Sequence, residues 1–367
     1  MCSSDLADAA LRAARAGGLG GAVEAGVAGR LADAVAWRAH VDAVREWPIE
    51  APTLLRLGLY VGIGLGSWVG AALVQELLAR VLGQGPPRGV PGLRARRLAR
   101  IGRRHEREAA MPEFCEVERD GRVLTVTIAR PEVMNAIHPP ASVELSRAFD
   151  EFVADPDLWV AIVTGKGERA FSAGNDLKYQ ASGGRLEWPA TGFGGLTARF
   201  DNPKPVIAAV NGLAMGGGFE IVLACDIVVA AETAVFALPE PRVGLAALAG
   251  GMQRLPRQIP LKHAMGMLLT GRRVSAEEGL RFGFVNEVVP AGEALAAARR
   301  WAAAILECSP VSVRTSKTVA LQSLAYPSLE ESLAARYDAV AELVRSEDFV
   351  EGPRAFAEKR KPAWKGR

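Results

Sequence analysis

Three consecutive glycines, Gly216, Gly217 and Gly218, stand inside AMGGGFEIVLACD (Ala214–Asp226), directly before Phe219, a lone carboxylate Glu220 and an apolar run. Each glycine costs roughly 0.5–1 kcal/mol against alanine inside a regular element. A plain helix start gains nothing from three of them, so the stretch demands bare backbone beside a carboxylate. The preceding run, PVIAAVNG (Pro205–Gly212), is short, continuously apolar and closed by glycine. That pattern is a strand buried on both faces, as in α/β folds. A strand, then glycines, then a helix whose first turn begins near Gly217 leaves unpaired N–H groups at the positive end of a helix dipole. Such groups bind anionic oxygen without help from side chains.

A second loop repeats the arrangement. WVAIVTG (Trp159–Gly165) reads as another buried strand, and RAFSAGNDLK (Arg169–Lys178) follows it with an Ala-Gly pair before Asn175 and Asp176. Alone, this stretch is an ordinary turn with Asp176 as a helix cap. Beside the glycine loop it supplies a second bare-backbone point. Two such points make an oxyanion hole, a pair of N–H donors aimed at a carbonyl oxygen that becomes negative.

The surrounding pattern gives the fold class. Arg122–Pro131 alternates as a half-buried strand, Val143–Val153 has helical spacing and Asp226–Ala231 is a further buried strand. Helices are predicted at Phe219–Ala224, Leu261–Leu269, Ala276–Phe282, Ala291–Glu307, Val311–Leu324 and Leu329–Val344. Strands alternating with helices, then helices alone, predict a layered α/β core over 111–310 with an α-helical region at 311–367.

Residues 1–110 read as a different object. Leu57–Val74 has no charged residue and reaches the length of a transmembrane helix. Its glycines at 58, 62, 66 and 70 give the small-xxx-small spacing of close-packed membrane helices. An extension over 1–82, mostly helical or disordered, leads into a basic linker at 83–110. The expectation is that this extension is foreign to the natural protein, through an upstream reading-frame or assembly artefact. A genuine anchor tethering a cytoplasmic domain is the first alternative, and a surface or buried helix in a soluble appendage the second. The opening MCSSDL lacks the basic and apolar regions of a secretory signal.

Composition excludes other classes. With 44 basic and 41 acidic residues, the net charge of +3 is too even for a nucleic-acid binder. Cys2, Cys115, Cys225 and Cys308 form no CxxC pair, and His40, His105, His138 and His263 have no metal-ligand spacing. Reduced thiols fit a cytoplasmic setting. No GxSxG motif accompanies the histidines, so a serine-hydrolase triad is not indicated.

Residues 111–367 resemble the crotonase (enoyl-CoA hydratase/isomerase) superfamily. The matching stretches, in the family's order, are RPEVMNAI, AFSAGNDLK, KPVIAAVNGLAMGGGFEIVLACDIVVAAETAVFALPE, GGMQRLP, LLTGRRVSAEEGLRFGFVNEVV and EGPRAFAEKRKPAWKGR. The resemblance implies a ClpP/crotonase-like ββα-spiral core and a hydro-lyase that adds water reversibly to an α,β-unsaturated acyl-CoA. It implies the backbone N–H groups of Asn175 and Gly217 as the oxyanion hole, and Glu220 and Glu240 as the catalytic carboxyls. It implies Ala173, Asp176, Leu177 and Gly216 along the acyl-CoA wall, and Glu132, Val133 and Asn135 against pantetheine and adenine. It further implies trimers or pairs of trimers, and no cofactor beyond the coenzyme A of the substrate. Taken singly, Glu220 is a first-turn glutamate favoured by the dipole, and Glu240 a turn residue between Pro239 and Pro241. Together at the family's spacing they read as catalytic. An isomerase and a non-catalytic acyl-CoA binder are the rival functions.

One departure bears on substrate. GLAALAGGMQR places Ala247 and Leu248 where straight-chain hydratases carry a Pro-Gly pair, so Leu248 is expected to crowd the water. FGGLTARFDNPKPVIAAVNG, MGGGFEIVLA, FALPE and SEDFVEGPRAFAEKRKPAWKGR are similar to the carnitinyl-CoA dehydratase (crotonobetainyl-CoA hydratase) branch of the superfamily. A quaternary ammonium group favours an aromatic wall, for which Tyr179, Trp188 and Phe193 are candidates.

Overall fold

After an opening hairpin, strands arrive in pairs, and each of these pairs splits between two sheets. The computed structural model describes residues 112–185 and 187–367; the apolar stretch at 57–74 and the basic linker at 83–110 lie outside them. No helix among the described residues is long and apolar enough to cross a membrane.

An antiparallel hairpin opens the fold, β1 (Cys115–Asp120) with β2 (Val123–Ile128), followed by helix α1 (Pro139–Ala154). Then β3 (Val160–Gly165) joins the large sheet and β4 (Ala170–Ser172) the small one, before helix α2 (Leu177–Ala181). The next turn repeats this with β5 (Val206–Val210), β6 (Leu213–Met215) and helix α3 (Gly217–Ala224). A further turn brings β7 (Ile227–Ala231), β8 (Val235–Ala237), α4 (Gly251–Gln258) and α5 (Leu261–Thr270). The short β9 (Val274–Ser275), α6 (Ala276–Phe282) and β10 (Glu287–Val289) close both sheets. The large sheet runs β1-β2-β3-β5-β7-β10 and the small one β4-β6-β8-β9. This is the expected ββα spiral.

The continuous apolar runs follow from burial on two sides. In β5, Val206, Ala208 and Val210 face one core while Ile207 and Ala209 face another. The second core is closed by helix α7 (Ala294–Leu306), whose Ala294, Ala297, Ala298 and Ala302 make a small-residue stripe against the sheet. On the first side α1 buries Leu145, Phe149 and Phe152; its start at Pro139 uses the proline preference for the first helical turn.

The C-terminal region is helical as expected, with one correction. The helix expected over Leu329–Val344 is two helices, α9 (Leu329–Ala334) and α10 (Asp338–Arg345). They follow α8 (Pro310–Ser323). Between them Ala335 is extended, and the Tyr337 hydroxyl donates back to the Ser332 carbonyl at 3.0 Å. The apolar spacing carries across this break, so periodicity alone missed it. The chain ends with α11 (Glu347–Ala357), where buried Asp348 accepts from the N–H of Lys365 at 2.7 Å and from the Ser309 hydroxyl at 2.8 Å. That carboxylate straps the final residues to the start of α8.

Candidate active site

The three glycines lack side chains for three different reasons. Gly216 has φ +53 and ψ −125, a backbone conformation closed to other residues, and its N–H donates to Ala237 at 2.9 Å. A Cβ on Gly217 would lie 2.5 Å from the Phe193 ring. Gly218 packs directly on the Ser172 carbonyl at the end of β4. The Gly216 carbonyl accepts the first helical bond, from Glu220 N–H at 3.0 Å. The planar peptide therefore turns the Gly217 N–H outward from the helix start.

The second loop lies against this one. Gly174 has φ +86, and a Cβ there would stand 2.5 Å from the Met215 carbonyl and 2.8 Å from the Gly217 nitrogen. Among the described residues neither the Asn175 N–H nor the Gly217 N–H finds a backbone carbonyl to donate to. The geometry thus brings together two bare amides from loops far apart in the chain.

Glu220 is only 3% exposed and lies in the first turn of α3. Its carboxyl accepts the Gly251 N–H at 2.8 Å. Burial pushes its pKa up to about 7, and the nearby Glu240 charge adds to this; the amides of Gly251 and Ala249 and the Arg254 guanidinium pull the other way. Glu240 opens the 3-10 turn Glu240–Val243. Its pKa is also raised by burial, against the bond from its own backbone N–H, and its Oε2 is buried without a hydrogen-bond partner among the described residues. Glu240 Oε1 stands 3.0 Å from where a Gly216 side chain would begin.

Asn175, Gly217, Glu220, Glu240 and Leu248 line one cavity of about 680 Å³. Trp188 and Phe193 meet edge-on in its wall, with ring centroids 4.9 Å apart. Arg254 and Arg257 also line it, and neither was singled out from sequence. Arg254 donates to the Thr197 carbonyl at 2.8 Å and lies over the Phe200 ring.

The other expected contacts fall elsewhere. Leu248 lines the cavity yet is 79% exposed, so it stands at the rim and does not crowd the space between the carboxyls. Ala173 and Leu177 are exposed and outside the lining. Tyr179 packs against His138, away from Trp188 and Phe193. Glu132 and Val133 form a short 3-10 turn outside the cavity. The Asn135 side chain faces inward: its amide donates to the carbonyls of Ala170 at 2.8 Å and Lys166 at 3.1 Å. Asp176 caps α2 by accepting Tyr179 N–H at 3.1 Å and pairs with Arg130 at 3.0 Å. Burial raises its pKa, but these two partners outweigh that and hold it low.

Known proteins resemble this chain in sequence and fold. The enoyl-CoA hydratase/isomerase family profile matches residues 118–367. A carnitinyl-CoA dehydratase of Salmonella enteritidis is 45% identical over 265 residues, covering 70% of this chain and all of that one. Among solved structures, a probable enoyl-CoA hydratase/isomerase from Mycobacterium abscessus superposes with a TM-score of 0.65 at 41% identity, over 70% of this chain and 100% of its own. A carnitinyl-CoA hydratase from Mycobacterium avium superposes at 0.56 with 42% identity, over 70% and 99%.

Proposed function

This chain belongs to the enoyl-CoA hydratase/isomerase family, and from that premise we propose that it is a hydro-lyase adding water reversibly to an α,β-unsaturated acyl-CoA. The carrying observation is that Glu220 and Glu240 share one cavity with the unpaired amides of Asn175 and Gly217. In this reading the amides hold the thioester oxygen, and the carboxyls hold a water and share one proton. The ionised carboxyl takes a proton as the water oxygen bonds to the β-carbon. Electrons shift onto the thioester oxygen as the enolate forms, and each amide donor is worth about 3–4 kcal/mol there. The neutral carboxyl then protonates the α-carbon, so the pair again holds one proton. Dehydration is the same path reversed. The chemistry asks for no metal or redox group, and coenzyme A arrives with the substrate.

Turnover of crotonyl-CoA, followed by loss of enoyl-thioester absorbance, tests the reading. Binding without turnover for every acyl chain tried would favour a non-catalytic acyl-CoA binder. Isomerase activity surviving the loss of one carboxyl would favour the isomerase.

The specific version is carnitinyl-CoA dehydratase (crotonobetainyl-CoA hydratase) activity. It is supported by the name of the 45%-identical relatives and by the Trp188–Phe193 edge pair, a wall suited to a quaternary ammonium group. Comparing kcat/KM for trimethylammonium-bearing and straight-chain enoyl-CoA decides it. The same reading includes a homotrimer or hexamer, for which exposed Leu324, Leu329 and Leu333 offer apolar contact surface; light scattering on the purified protein tests this. A cytoplasmic setting is supported by Cys115, Cys225 and Cys308 all being free thiols.

A further inference from the structure

The peptide joining Gly174 to Asn175 is held from behind by a template that no expected role accounts for. The loop Met134–Ile137 lies alongside Ser172–Asp176. The Met134 carbonyl accepts Ala173 N–H at 2.9 Å, and the Asn135 carbonyl accepts the Ser172 hydroxyl at 2.8 Å. Ile137 bonds on both sides of Asn175: its N–H donates to the Gly174 carbonyl at 2.7 Å and its carbonyl accepts Asp176 N–H at 3.1 Å. A trans peptide points its C=O and N–H in opposite directions. Fixing the Gly174 carbonyl on Ile137 therefore aims the Asn175 N–H away from the template. Gly174 in turn rests against the Gly217 nitrogen.

The template is itself strained. Met134 and Asn135 both have positive φ, +58 and +55, which non-glycine residues rarely adopt. Three groups hold that shape. The Asn135 amide bridges to Ala170 and Lys166, while its Oδ1 accepts Arg130 N–H at 3.0 Å. The Arg130 guanidinium donates to the Ala136 carbonyl and pairs with Asp176 at 3.0 Å, clamping template and loop together. Both side chains of that pair are nearly buried, at 13% and 11% exposed.

We infer that Arg130, Asn135 and Asp176 are positioning residues for the first oxyanion donor: they aim the Asn175 N–H through the Ile137 template. This rests on the hydratase reading of the site and reassigns Asn135 and Asp176 from ligand contact to support.

Asp176→Asn keeps a helix-capping oxygen and removes the ion pair. The inference expects kcat to fall roughly 10- to 100-fold, part of what losing a whole donor costs, while KM moves less than about threefold. Arg130→Lys, which keeps the charge but not the planar guanidinium whose Nη1 makes both contacts, falls between wild type and Arg130→Met. The signature is optical. A bound chromophoric cinnamoyl-type thioester absorbs at longer wavelength when its carbonyl is polarised. That shift is expected to survive Glu220→Gln and to shrink in Asp176→Asn and Arg130→Met. Where a single variant fails to fold, Arg130→Met with Asp176→Asn removes both buried charges together and carries the same expectation. A full shift and wild-type kcat in folded variants would overturn the inference alone. No shift in the wild type would overturn the reading of the site as an acyl-thioester oxyanion hole, and this inference with it.

Discussion

The turn carrying Glu220 and the turn carrying Glu240 face one cavity and are built on different principles. Glu220 sits in a helix start, fixed by the amide of Gly251 and buried to 3% exposure. Glu240 sits at the head of a 3-10 turn between prolines, with Oε2 buried and unpartnered. Burial raises the pKa of both. The difference teaches that the two carboxyls are held differently: Glu220 by an amide from a distant helix start, Glu240 by its own backbone N–H at the head of its turn.

The sharpest way to break this comparison is to remove each carboxyl alone. Glu220→Gln and Glu240→Gln are each expected to lower hydration about 10³-fold or more, within the range of general acid–base catalysis. Steady-state turnover of crotonyl-CoA measures it. If one variant keeps most of the activity, the two turns are not partners.

Gly217→Ala attacks the amide at the head of the helix that carries Glu220. Its methyl would press on the Phe193 ring and shift the donor, with an expected loss of about 10²-fold in kcat. Turnover together with circular dichroism separates a displaced amide from an unfolded chain. Wild-type turnover would mean that Phe193 yields and the amide stays in place.

How much of this was legible beforehand follows the physics of each feature. Glycine runs, apolar strands and the two loops are local signals, and they led to Glu220, Gly217 and Asn175. The two-residue β9 and the three-residue β10 carry too few positions for any periodicity. The side that Leu248 and Asn135 face is set by tertiary packing and carries no local signal; Asn135 turns inward because left-handed backbone at Met134 and Asn135 rotates it there. Arg254 carries no local signal, and only the fold brings it to the cavity with Glu220.

The raised pKa of Glu220 makes a stability prediction. A carboxyl whose folded pKa lies above its unfolded value binds protons more readily when folded. The penalty is absent below about 4.5, grows as pH rises and is full above about 7. Glu220→Gln removes it, so the variant is expected to match wild type near pH 4 and to gain about 2–3 kcal/mol at pH 8. Urea unfolding at the two pH values checks this. An equal difference at both would mean that Glu220 titrates normally and that the asymmetry between the turns is one of shape alone.

The smallest effect concerns the loop leading away from Glu240. The sequence suggests that Leu248 crowds the water; the structure puts it at the rim, 79% exposed. A rim residue touches the acyl chain in transit and leaves the reacting centre alone. Leu248→Ala is therefore expected to leave kcat within about twofold and to change KM for longer acyl chains by a few-fold, the scale of one or two partly buried methylenes. A kcat for straight-chain substrates that climbs tenfold on this truncation would return Leu248 to the space between the carboxyls. It would also make the Glu240 turn more enclosed than its exposed flank implies.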